Sequence, residues 1–319
     1  MRATAKDAFE KMAATGGGDA GAVAVGLRRG VTTVGLRALA AKAVHVAAAS
    51  PERLMDVYDN AAAGWLSQPV FPPRLRLEEP LPISDRFWDA FWDLVHLPTD
   101  ATHQALAAAT LRAAGELDPR INARMAVAAM DYPGVVEAAA GGIPEPYDPA
   151  VMEGAPPASL GFLLRQDRLA GGDGFAAPFG GGLVALLRHM PAPLAYINVH
   201  TIQSLAVLGV VAGYGPARLD RVAFGAFLMG QTGHHYSALS TAATLTALSL
   251  ARPDSVDLRL DCIFRAWAHG RETPLLLGAP WPELWNLRLD EVRQTLGVHP
   301  FASPYAEARR RMNEDPADR

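Results

Sequence analysis

Residues 196–236 read YINVHTIQSLAVLGVVAGYGPARLDRVAFGAFLMGQTGHHY, and this stretch decides the fold. Its apolar runs at 205–211 and 222–229 recur at helical rather than strand spacing. They are joined at Gly213-Tyr214-Gly215-Pro216, where glycine and proline stop one helix and let another begin. No stretch in the chain alternates with period two for long enough to build a sheet. The expectation is an all-α protein, a multi-helix bundle around an apolar pocket. The same stretch also collects His200, His234 and His235, three of the nine histidines.

Composition supports this reading. Of 319 residues, 50% are hydrophobic and 19% charged, and alanine, leucine and valine favour helix. A net charge of −4 argues against nucleic acid, whose recognition needs a concentrated basic surface. The single cysteine, Cys262, excludes a disulfide framework within the chain and fits a reducing, cytoplasmic setting. The N-terminus lacks a secretory signal pattern. No run of side chains suggests a membrane span of ~20 apolar residues.

In chain order, residues 1–20 read as a loose tail ending in glycines, with part of it open to helix, and 21–145 as a helical extension packed on the core. Within the extension, 21–49 reads as one alanine-rich helix carrying Arg28, Arg29, Arg37 and Lys42. It either packs at the core edge or rests on a membrane surface, so peripheral membrane contact stays open. Ser50-Pro51 opens a helix through about Trp65, and Ser84-Asp85 opens one with an aromatic face. That face carries Phe87, Trp88, Phe91, Trp92 and Val95. Residues 146–319 form the helical core. The glycine-rich segments 171–174 and 178–182 read as loops that lack the lysine and hydroxyl of a phosphate-binding loop.

Four segments, in order, resemble the coenzyme Q biosynthesis protein 4 family. They are Pro146-Tyr147-Asp148 with Ser159-Leu160-Gly161, Gly213-Tyr214-Gly215-Pro216 with Gln231-Thr232-Gly233, Ala266 to Arg271, and Trp281-Pro282-Glu283-Leu284 with 289–297. The resemblance implies a helical fold with a hydrophobic pocket for a prenylated quinone precursor, and membrane or partner-enzyme association. It also implies a metal site patterned His-Asp-x-x-His followed twelve residues later by Glu. Counted back from Gly213, those positions fall on Leu205, Ala206, Gly209 and Arg221. None is a metal ligand, and a guanidinium repels a cation. A register starting at His200, with Thr201 and Ser204, does no better. No metal and no cofactor is therefore expected.

What remains is a pocket edged by Asn198, Thr201, Leu205 and Gly209, which share a helix face, with Arg221 and Gln231 from the next helix. Arg221 either holds an anionic or carbonyl-bearing ligand or turns to solvent or a carboxylate. His200, His234, His235 and Tyr236 are the candidates for acid–base chemistry; each histidine also has a purely structural reading. His234 and His235 are adjacent and point about 100° apart on a helix, so at most one serves a given pocket. No Gly-x-Ser-x-Gly element or nucleophilic cysteine is present. The expected function is a metal-independent biosynthetic protein taking a hydrophobic quinone-, polyketide- or prenyl-type molecule. A homodimer or partner enzymes fit it equally. The alternative is a non-catalytic carrier that presents such a ligand to partner enzymes.

Overall fold

A computed structural model describes residues 3–16, 18–69, 78–98, 101–169, 181–216, 218–251, 255–303 and 306–308. The expected loop at 171–174 and the 178–180 part of that at 178–182 lie outside the described residues, while residues 181–182 open a helix rather than continue a loop. Among the described residues the chain is helical, without a strand. The N-terminal part holds α1 (Ala3–Ala14), α2 (Ala20–Arg29), α3 (Thr33–Ala48), α4 (Leu54–Leu66), α5 (Asp85–Val95), α6 (His103–Gly115), α7 (Ile121–Ala129) and α8 (Val135–Ala140). Then come α9 (Leu160–Leu169), α10 (Gly181–Leu187), α11 (Leu194–Ala212), α12 (Arg218–Thr232), α13 (His235–Ala251) and α14 (Val256–Glu272). The short α15 (Trp281–Leu284) and α16 (Leu289–Leu296) close the chain.

One continuous apolar core runs from Phe9 to Phe301. At its centre α12 lies against α14; α13 flanks α12 and packs along α3, while α4 covers α14. The α12–α14 crossing is very close, because Gly230 and Gly270 face each other. A Cβ on Gly230 would stand 2.6 Å from the Trp267 carbonyl, and one on Gly270 would overlap the Phe227 carbonyl. The polar side of the crossing is stitched by Gln231, whose amide donates to the Gly270 and Thr273 carbonyls and accepts from the Leu276 N–H.

Three expectations are modified. The segment 21–49 is two helices, because Gly30 ends α2 with its N–H on the Gly26 and Leu27 carbonyls, and Thr32 caps α3 through the Gly35 N–H. The first residues carry α1, whose Phe9 and Ala13 are buried. Phe9 meets Trp88 and Trp92 edge-on, and Trp92 donates to Glu10 at 2.8 Å, so the aromatic face of α5 is core packing. Finally, α11 is long and apolar enough to cross a membrane by length and composition, with mean hydropathy 1.5; 67% of that window is buried inside the protein. His200 and Gln203 break the run to the eye without lowering its mean below that level. The Ser84 cap holds as expected, accepting from the Phe87 N–H at 3.1 Å.

The end of α11 explains much of the sequence around it. A helix leaves its last four carbonyls without helical partners. Here Gly213 adopts φ +84°, a left-handed turn that suits glycine, and Tyr214 donates back to the Gly209 carbonyl at 2.8 Å. Arg293 of α16 donates to the Val211 and Val210 carbonyls at 2.9 and 3.0 Å, and the Phe301 N–H takes Ala212. Arg293→Ala strips two of these bonds from a half-buried helix end. Charge-assisted bonds contribute ~2 kcal/mol, so urea denaturation of the variant is expected to show a loss of that order. Arg293→Lys recovers only part of it, since an ammonium cannot present the two-pronged donor.

Candidate functional site

A cavity of about 770 Å³ opens between α11, the end of α8 and the segments around 144–151 and 277–285. Tyr196 and His200 stand one helical turn apart on α11 and so share the face that forms its floor. Their rings meet edge-on, 5.2 Å between centroids. Opposite them comes Tyr147, carried by Pro144-Glu145-Pro146, where each proline biases its predecessor to extended backbone. The Gln203 amide of α11 donates to the Pro144 carbonyl at 3.3 Å and holds this strap in place. Asp148 then caps the following turn by accepting from the Ala150 N–H. Trp285 forms the far wall, edge-on to Tyr147 at 5.4 Å and stacked on Trp281.

The chemistry centres on one contact: the Tyr147 hydroxyl lies 3.0 Å from His200 Nε2. His200 is 4% exposed, and burial pulls its pKa down from 6.5 to about 4. It is therefore neutral at pH 7. Burial pushes the Tyr147 phenol up, while Ser204 beside it pulls the other way. The pair is thus neutral and shares one proton across a short path. His200 Nδ1 is buried with no hydrogen-bond partner. Tyr196, raised to about 12 by burial and then by Tyr147, anchors its own hydroxyl on the Leu277 carbonyl. The rim is acidic: Glu137, Glu145 and Asp148 line it, and among the described residues no lysine or arginine does.

Of the ten residues singled out from the sequence, His200 lines this cavity. Asn198 is buried on another face of α11, donating to the Met190 sulfur. Thr201 is buried with its hydroxyl unpartnered, and Leu205 is half-buried. Gly209 faces the Tyr214 carbonyl and the Phe224 ring. Arg221 donates to the Pro216 carbonyl at 2.9 Å. Gln231 is engaged at the α12–α14 crossing. His234 bonds Ser237 at 2.8 Å, His235 bonds the Ala47 carbonyl at 2.7 Å, and Tyr236 sits against both imidazoles. Tyr147, Tyr196 and Trp285 were not selected from the sequence as site residues. The signal for Tyr196 was its i, i+4 spacing to His200; for Tyr147 it was the proline strap.

Fold and site together define an all-α bundle with an aromatic, acid-rimmed cavity of small-molecule size. Comparison with solved structures adds a likeness of fold. A solved structure from Nostoc punctiforme, provisionally described as a ubiquinone biosynthesis protein, shares the fold with a TM-score of 0.51 and 18% identity. The match covers 67% of this chain and 98% of that one. No family model matches the chain, and no curated protein does. The metal positions implied by the resemblance do not fit a metal here: Leu205, Ala206 and Gly209 offer no donor, and the Arg221 guanidinium is cationic. Among the described residues no three histidine, cysteine or carboxylate side chains come together to hold one.

Proposed function

We propose that this protein is a metal-independent biosynthetic enzyme acting on a hydrophobic, ring-bearing molecule of quinone, polyketide or prenyl type. The observation that carries this reading is the Tyr147–His200 hydrogen bond in the wall of an aromatic cavity. About 770 Å³ lies within the 300–1,000 Å³ of ordinary small-molecule sites. A ring between Tyr147, Tyr196 and Trp285 would bring a hydroxyl or carbonyl oxygen to the phenol. Tyr147 would then pass a proton to or from that oxygen, with neutral His200 as the base behind it. The likeness to a ubiquinone biosynthesis protein fits the substrate class, and the donor set supports independence from a metal. The second reading, a carrier that presents its ligand to other enzymes, is favoured by the loss of every family ligand.

Tryptophan quenching with a short-chain benzoquinone is the direct test, because Trp285 lines the cavity and Trp281 stacks on it. Trp285→Ala is expected to weaken binding at least roughly ten-fold, the size of a lost ring–ring contact plus its buried area. Unchanged affinity in that variant would overturn the cavity assignment. Ligand extracted from the wild-type protein should be converted on incubation, and His200→Ala should bind it yet convert it at least ~100-fold more slowly. Conversion unaffected by His200→Ala refutes the acid–base role, and binding without any conversion establishes the carrier.

A further inference from the structure

The geometry points to a ligand that carries a positive charge: a lipophilic amine or quaternary ammonium compound whose cationic end sits at the rim of this cavity. The inference rests on the cavity reading above and names the chemistry of what enters it. Glu137 projects from α8, while Glu145 and Asp148 come from the proline strap, so three carboxylates from two separate segments converge on one opening. All three are exposed, and among the described residues neither Glu137 nor Glu145 is engaged in an ion pair or hydrogen bond. Among the described residues no lysine or arginine lines the cavity to neutralise them. A surface with 29 lysines and arginines against 33 acids has ample means to balance such a cluster, and here it does not.

The walls favour the same class. Tyr147, Tyr196 and Trp285 present aromatic rings, and ring faces attract ammonium groups, most strongly where water is excluded. The floor adds no positive charge, because His200 is buried at 4% exposure and stays neutral at pH 7, with Nδ1 unpartnered. A carboxylate, phosphate or diphosphate entering this opening meets like charge and finds no donor fork. An uncharged ring is admitted, and an added ammonium gains both the rim carboxylates and the ring faces.

Calorimetry of the full chain with three matched probes tests this: (4-phenylbutyl)trimethylammonium, 4-phenylbutan-1-ol and 4-phenylbutanoate, at low ionic strength. The ammonium should bind roughly ten-fold tighter than the alcohol, the carboxylate weakest, and added salt should erode the preference. In Glu137→Gln/Glu145→Gln, exposed positions that leave the fold intact, the ammonium should fall to within about two-fold of the alcohol while the alcohol is unchanged. Equal binding of ammonium and alcohol, tightest binding of the carboxylate, or a preference that survives the double variant overturns the inference. If the alcohol binds as well as the ammonium and Trp285→Ala removes both, the cavity reading stands and only the charge preference falls. If none of the three binds, both fall.

Discussion

Gly270→Ala should unfold this protein at markedly lower temperature than wild type, although alanine is the better helix former. The added methyl would stand on the Phe227 carbonyl and within 3.1 Å of Gly230 Cα. Both are backbone atoms, so no side chain can swing aside; α12 and α14 must separate along their length. That separation also loosens Gln231, whose three bonds to Gly270, Thr273 and Leu276 depend on the approach. Overpacking of this kind costs about 3 kcal/mol. At 2–4 °C per kcal/mol for a large chain, the melting temperature should drop by roughly 6 °C or more. Gly26→Ala is the control: it lies on the exposed face of α2, nothing stands within 4 Å of its added methyl, and it should raise the melting temperature slightly. An unchanged midpoint for Gly270→Ala would show that the crossing is looser than the structure has it.

The same crossing shows what could be read from the sequence and what could not. Helical periodicity in 196–236, the Ser84 cap and the glycine at the end of α11 are local signals, and each produced the expected element. The four segments of family resemblance turn out to be joints between helices. Leu160 and Gly161 donate to the Leu287 and Trp285 carbonyls, Tyr214 bonds His269, Gly270 admits α12, and Arg293 caps α11. Such joints preserve a fold without preserving a reaction, which is why the fold was legible while the chemistry of the site was not. The site depends on which face of α11 is turned inward at each height. Counting from Gly213 pointed to the face of Leu205 and Gly209, whereas the cavity lies on the face of Tyr196 and His200, about 140° away for residues five apart. No local pattern reports that choice, because α11 is apolar nearly all round and packs against elements far off in sequence, among them α7 and α16. Arg221 illustrates the same limit: it does not line this cavity, and its Nη1 donates to the Pro216 carbonyl.

Acidification should unfold the protein well before ordinary carboxylate titration would account for it. His45, His200 and His235 are 2%, 4% and 7% exposed, and burial pulls each from 6.5 to about 4. His45 and His235 use their one N–H as a structural donor, to the Ala13 and Ala47 carbonyls at 2.9 and 2.7 Å. They tie α1 and α13 to α3 while staying neutral. The unfolded chain takes up these protons near pH 6.5, and the folded chain refuses them until about pH 4. Stability from these groups is therefore fully present above 6.5, declines as the pH falls through the window from 6.5 to 4, and levels off below it. At 1.36 kcal/mol per unit of pKa, each buried histidine withdraws on the order of 3 kcal/mol by pH 4. Three together approach the whole stability of an ordinary domain, ~5–15 kcal/mol. Urea midpoints measured from pH 7.5 to 4 should fall steeply below 6.5, with several protons taken up on unfolding near pH 5, His234 adding to these three because burial lowers it to about 4 as well. His235→Gln keeps an N–H for the Ala47 carbonyl and removes the titration, so proton uptake should drop by about one while stability at pH 7 changes little. A flat profile between pH 7 and 4.5 would mean that these imidazoles are not buried neutral, and with them the packing of α1 and α13 onto α3 would have to be redrawn.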